Sequence, residues 1–288
     1  AFVLRGATIR FVDSLSEHPN MDVSKVKDLI NERTKVIVAV HYGGVASDMD
    51  RLKELTQENN LFLVEDAAQA IHATFKGDYL GTFGDFATFS FHETKNVVSG
   101  EGGLLVINDD EFAPRAEIIW EKGTNRSSFF RGEVDKYGWV DVGSSFLPSE
   151  LNAAYLFGQL ENIKEIQSRR LEIWNQYYSR LFALAERGHF KLPNIHQNAS
   201  NNAHVFFIVC NSEVDREGLL NHLKNRQIGA VFHYLSLHKS EFYKDKHDER
   251  VLVNADHYSE CLVRLPLHLH LTGSDIDYIC DEVKEYFK

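Results

Sequence analysis

Two residues of this sequence, Asp66 and Lys95, stand where chemistry is done. Asp66 lies in the run LFLVEDAA (61–68), with only apolar residues and Glu65 ahead of it. A carboxylate at the end of a buried strand is costly to desolvate without a cationic partner. One reading makes Asp66 the N-cap of a following helix. The other makes it the counter-charge of a buried heterocyclic N–H⁺, where an ionised carboxylate keeps the ring protonated and able to accept electrons. Lys95 stands just past a second apolar run, in SFHETKN, and the tightly turning GEGG (100–103) follows it. A lone lysine at a strand end is usually a solvated surface residue. In a partly desolvated, electropositive crevice its pKa falls below the reference of about 10.4, and the free amine becomes available for Schiff-base chemistry. Ser90 and His92 precede it on the same segment.

The hydrophobic pattern supplies elements to position these residues. KVIVAVHY (35–42), LFLVEDAA, DFATFSFH (85–92) and GGLLVIND (102–109) are runs suited to strands buried on both faces. TIRFVD (8–13) reads as a short further strand. MDVSKVKDLINE (21–32) puts Val23, Val26, Leu29 and Ile30 at helical spacing with Asp22 as cap, and MDRLKELTQENN (49–60) is an amphipathic helix. Strands separated by such helices imply βαβ units and a mainly parallel sheet, with ligands held outside the carboxyl ends of the strands. Residues 121–148 read as a long polar and aromatic loop, functional or interfacial. A long helical pattern follows from 149, and 204–210, 216–227, 230–234 and 274–287 alternate strand, helix, strand and helix. The expected division is a large α/β domain over 1–164 and a small α+β domain over 165–288. The opening AFVLRGATIRFVD starts within a pattern and without an initiator methionine, so the N-terminal part of the large domain is expected to be absent.

Composition narrows the partners. With 31 Lys+Arg against 42 Asp+Glu the net charge is -11, which argues against nucleic acid or an anionic membrane. An anionic ligand stays open, because backbone N–H groups and hydroxyls can hold a phosphate. No apolar run reaches the roughly 18 residues that span a bilayer. Cys210, Cys261 and Cys280 show no C-x-x-C spacing and fit a reduced, cytoplasmic setting. His233, His238, His268 and His270 lack partners at ligand spacing, so no metal is expected. The absence of G-x-G-x-x-G after any strand sets aside a dinucleotide-dependent oxidoreductase.

VEDAAQA, SFHETKN and GEGG, in this order and at these spacings, resemble the signature of the DegT/DnrJ/EryC1/StrS sugar aminotransferases. The likeness runs from FVLRGATIRFVD to RLPLHLHLT. It implies the aspartate-aminotransferase fold (fold type I), pyridoxal 5'-phosphate as cofactor, and a keto-sugar nucleotide and L-glutamate as substrates. It implies that Lys95 holds the cofactor and moves the substrate proton, that Asp66 pairs with the pyridine nitrogen, that Gln69 lies beside the phenolic oxygen, and that Ser90 binds the phosphate. His92, and His233 and Tyr234 in FHYLSLH, would contact the sugar. Relatives lend an asparagine from a G-Y-N-Y segment to the neighbouring subunit's phosphate. Here the matching run is Gly143-Ser144-Ser145-Phe146, so Ser145 stands in its place and a homodimer with shared active sites is implied. A dehydratase of the family would carry histidine for lysine, and SFHETKN keeps the lysine.

Overall fold

β-branched and aromatic residues dominate the four runs that frame Asp66 and Lys95. In the computed structural model, which describes residues 1–288, each of them forms a strand. These are β1 (Val36–Val40), β2 (Phe62–Asp66), β5 (Phe86–Ser90) and β6 (Gly103–Ile107), with a small hairpin of β3 (Thr74–Phe75) and β4 (Asp78–Tyr79) inserted after β2. The sheet order is β1-β2-β5-β6. β1, β2 and β5 run parallel and β6 pairs antiparallel with β5, so the sheet is mainly parallel, as the pattern implies. α1 (Met49–Asn59) makes the crossover from β1 to β2. Asp48 caps it by accepting the Arg51 N–H, and Asn60 ends it in the left-handed region at φ 51. Its Met49, Leu52 and Leu55 pack on Ile37, Ala39, Leu63 and Ala67. The register sets Val40 beside Asp66 and Asp66 beside Thr88, so the chain leaves all three parallel strands at one edge.

After β6 come α2 (Ala113–Trp120), the short α3 (Arg126–Phe130), α4 (Glu150–Glu161) and α5 (Ile163–Glu186). A second sheet follows, ordered β7-β8-β10-β9: β7 (Phe190–Lys191), β8 (Phe206–Cys210), β9 (Val231–Phe232) and β10 (Leu262–Leu265), antiparallel throughout. α6 (Glu213–Asn225), α7 (Val253–Cys261) and α8 (Gly273–Tyr286) accompany it. A Thr272–Asp275 capping box starts α8. One face of this sheet, with Phe206, Ile208 and Val263, packs on Tyr177 and Leu181 of α5, Leu219 and Leu223 of α6, and Ile276 and Val283 of α8. Burying each of these large side chains contributes about 1.5–3 kcal/mol. No helix is long and apolar enough to cross a membrane.

Several elements differ from the sequence pattern. Residues 8–13 form no strand, because their polar groups bond to the second half of the chain: the Tyr243 hydroxyl bonds both N–H and C=O of Ile9, and Arg250 donates to the Phe11 carbonyl. The helical pattern at 21–32 yields only two 3-10 turns, Val23–Lys25 and Lys27–Leu29, since the backbone turns extended at Ile30 (ψ 132). The long helix after 149 is two helices, broken at Asn162 where φ is -103 and ψ 12. α7 and β10 were not in the pattern, and β10 carries a residue of the site.

Candidate active site

The parallel register brings the sequence-selected residues to one edge. Asp66 is the last residue of β2 and Ser90 the last of β5; His92 and Lys95 lie in the turn beyond, closed by the Lys95 N–H donating to the His92 carbonyl at 3.0 Å. Asp66 is half-buried, and its Oδ1 accepts the Ala68 N–H at 3.1 Å. Lys95 is half-buried too. Burial pulls its pKa below the ordinary lysine value; the Asp66 carboxylate opposes that pull and Arg264 reinforces it.

The more deeply buried acid is Glu65, with no exposed surface. Oε1 accepts the N–H groups of Phe83 and Gly84, each at 2.8 Å, and Oε2 accepts the Gly81 N–H at 2.8 Å. His41 completes the set: its Nδ1 accepts from Ser47 at 3.2 Å, which leaves Nε2 to donate to Glu65 at 3.0 Å. Burial alone would push the Glu65 carboxyl up, yet the bonds from His41, Gly84 and Gly81 outweigh it and hold the carboxyl below its usual range. Strand alternation explains the difference in roles: Glu65 faces the core side and its neighbour Asp66 faces the crevice.

The second sheet closes the crevice. Arg264 of β10 stands opposite Phe207 of β8 and Val231 of β9. The Phe207 ring meets Tyr42, just after β1, edge-on at 5.9 Å, and Tyr42 meets His233 at 4.9 Å. Burial pushes the Tyr42 phenol up, so it stays protonated and donates to His233 Nδ1. Burial, helped by Arg264 and Lys95, lowers His233 to about 3 and keeps it neutral. Buried Arg170, pushed down to about 10 by burial and then by Arg264, donates to the carbonyls of Ala203 at 3.0 Å and His204 at 2.8 Å. Gly43 and Gly44 let the chain pass beneath: at Gly44 φ is +80, and a Cβ would lie 1.8 Å from Asn202 Oδ1.

The structure therefore gathers Asp66, Lys95, Ser90 and His233, and adds Arg264 and Tyr42, while Glu65 anchors the strand end from the core side. Gln69 faces the turn at Gly43, accepting its N–H at 2.7 Å. His92 is turned to Thr94, 3.0 Å from its Nδ1. The Tyr234 ring lies tilted against His233, 4.3 Å between centroids, and is otherwise exposed. Ser145 is not brought to these residues; it is exposed and bridged to Glu121. Arg264 lies in RLPLHLHLT, whose charged residue between apolar neighbours was the available signal. A half-buried amine of lowered pKa, a carboxylate within its electrostatic reach and a strand-end hydroxyl fit pyridoxal phosphate in the chemistry of their donor groups.

A sequence profile of the DegT/DnrJ/EryC1/StrS aminotransferase family matches residues 1–284. The chain belongs to that family, and is a pyridoxal-phosphate-dependent sugar aminotransferase with the fold of such enzymes. It is 31% identical over 289 residues to GDP-perosamine synthase of Escherichia coli O157:H7, covering 98% of this chain and 74% of that protein. It is 29% identical over 292 residues to the spore coat polysaccharide biosynthesis protein SpsC of Bacillus subtilis, covering 98% and 74%. The crystal structure of S. venezuelae DesV, in complex with a ketimine intermediate, superposes with a TM-score of 0.86 at 30% identity, over 96% of this chain and 71% of that one.

Proposed function

We propose that this enzyme moves the amino group of L-glutamate onto a nucleotide-linked keto-deoxysugar, dTDP-4-dehydro-6-deoxyglucose, with Lys95 as the cofactor lysine. The observation that carries the reading is the half-buried Lys95 amine, its pKa lowered by burial, at the parallel strand ends with Asp66. When bound, pyridoxal phosphate supplies an electron sink for the carbon that gains or loses the amino group. Asp66 holds a proton on the ring nitrogen. Lys95, as the free base, takes and returns the substrate proton at Nζ. Gln69 would stand beside the ring's phenolic oxygen, Ser90 would donate to the phosphate, and His92, His233 and Tyr234 would line the sugar side. The run 123–151 resembles dTDP-4-amino-4,6-dideoxygalactose transaminase, which favours this sugar. The names of GDP-perosamine synthase and SpsC favour a nucleotide-linked amino sugar destined for a surface polysaccharide.

The working unit in this reading is a homodimer of protomers divided at 1–164 and 165–288. Phe130, Trp139, Phe146, Leu151, Tyr155 and Phe157 are 56–84% exposed, apolar surface that a second protomer would cover. Ser145, beside Phe146, would then reach the neighbour's cofactor phosphate. Sedimentation at working concentration should give a dimer, and an active monomer would refute this part.

Lys95→Ala is expected to fold, to lose the yellow absorbance that borohydride bleaches in the wild type, and to lose amino transfer from glutamate. Near-normal turnover would overturn the assignment. Assay against a panel of keto-sugar nucleotides tests the acceptor; turnover confined to a 3-keto sugar would overturn the sugar proposed.

A further inference from the structure

The residue after Lys95 is tied on every side. Asn96 is 5% exposed. Its Nδ2 donates to Gln167 Oε1 at 2.9 Å and to the Asn202 carbonyl at 2.8 Å, and its Oδ1 faces His204 Nδ1 at 2.9 Å. Burial keeps the His204 pKa well below its ordinary value, so the ring is neutral and places its one N–H on Nδ1 to donate to this amide oxygen. Both amide hydrogens and the oxygen are therefore spent inside the protein.

The partners come from the boundary between the two sheets. Gln167 and Arg170 belong to α5, and Asn202 to His204 lie in the segment that leads into β8. The bonds continue toward the other side of the site. Gln167 Nε2 donates to the Ile71 carbonyl at 3.2 Å, and Asn202 Nδ2 donates to the carbonyls of Gln69 at 2.7 Å and Ile71 at 3.1 Å. One closed network thus joins the Lys95 turn, the turn after Asp66, α5 and the lead into β8. A buried amide network this complete rigidifies what it touches, and an apolar residue of the same volume would have filled the space without these constraints.

We infer that Asn96 is a positioning residue: by bonding the lysine's neighbour to α5 and to residues 202–204, it sets where Lys95 stands between Asp66 and the second sheet. The inference rests on Lys95 being the cofactor lysine. Asn96 touches no ligand space, so its loss should spare binding and disturb the amine.

The test uses Asn96→Leu in the full chain. Lys95 of the cofactor-free protein is labelled with trinitrobenzenesulfonate across pH and quantified by peptide mass spectrometry. The holoenzyme is assayed for kcat and KM with glutamate. A displaced lysine should leave its desolvated place, so the midpoint of its labelling profile is expected to move to higher pH. kcat should fall by about tenfold or more with KM within about twofold, because small misplacements of a reacting group are costly. A purely structural amide would lower the melting temperature and leave the labelling profile and kcat unchanged, which would overturn the inference. If Asn96→Leu does not fold, Gln167→Met removes the bond from Asn96 and the bond to the Ile71 carbonyl and leaves the other two Asn96 bonds; it is expected to shift labelling and kcat in the same direction by less, and wild-type values there would also overturn the inference. Lys95→Ala, run alongside, separates the two ideas. Turnover in that variant would sink the assignment of Lys95, whereas an inactive Lys95→Ala with wild-type-like Asn96 variants sinks only the positioning role.

Discussion

Glu65→Gln removes one charge from the deepest polar cluster in the first sheet while keeping the side chain's shape. Four donors converge on the carboxylate: the N–H groups of Phe83 and Gly84 on Oε1, and the Gly81 N–H and His41 Nε2 on Oε2. A glutamine keeps one carbonyl oxygen, which can serve one of these pairs. Its NH2 then faces the other pair, donor against donor, and two buried donors go unpaired at about 1–3 kcal/mol each. The two surviving bonds lose their charge assistance as well. The sum is about 3–5 kcal/mol, the range found when one partner of a buried ionic cluster is removed. Against a total stability of roughly 5–15 kcal/mol this is a large fraction. Urea unfolding of both proteins at pH 7, compared by midpoint at equal slope, measures it. The pH dependence gives a second check. The folded carboxyl sits below its ordinary 4.5, so the unfolded chain binds that proton more readily. The stabilisation is complete above the unfolded value and is lost as pH falls through the folded one, so wild type and variant should converge in acid. A loss under about 1 kcal/mol at pH 7, or a gap that does not narrow in acid, would refute the reasoning.

Asp66→Asn keeps the shape but cannot hold a ring proton, and amino transfer should fall roughly a hundredfold or more, the scale of proton-transfer catalysis. A wild-type rate would leave Asp66 with a structural role only, in the turn that its bond to Ala68 closes; no helix follows for it to cap. Arg264→Met removes a cation that lowers the Lys95 pKa. In its proposed role Lys95 works as the free base, so the rising limb of the pH–rate profile should move to higher pH; no movement, or movement to lower pH, would take Arg264 out of the site's electrostatics.

Much of this was legible because the signals were local. The parallel strands follow from continuous β-branched runs, and the placing of Asp66 and Lys95 follows from where those runs stop. α1 was legible for the same reason, its amphipathic run at 49–60 forming the helix that the structure caps at Asp48 and ends at Asn60. What was hidden depends on distant partners. The segment 8–13 has a strand's composition, yet its bonds go to Tyr243 and Arg250, more than 230 positions away. Glu65 and Asp66 are adjacent acids in one strand, and only the turn at 81–84 and His41 tell the buried anchor from the crevice residue. Arg264 sits on a four-residue strand defined by its neighbours Phe207 and Val231.

The charge at the strand ends bears on what the crevice is built to receive. The chain carries a net charge of -11, so carboxylates for pairing are in surplus. Yet among the causes that act on Lys95, Asp66 is the one acid. Arg170 is buried and satisfied by backbone carbonyls, and the fields at His204 and His233 come from cations, namely Arg170, Lys95 and Arg264. Arg170 is buried and Lys95 and Arg264 are half-buried; like charges held this close repel, and folding alone gives no reason to keep them together. Lowering the Lys95 pKa is one return on that cost. The other is an attraction for anions: the cofactor brings a phosphate, and in the function proposed above the sugar nucleotide would bring a diphosphate and the amino donor a carboxylate. Such ligands would neutralise these charges, so their binding should raise folding stability.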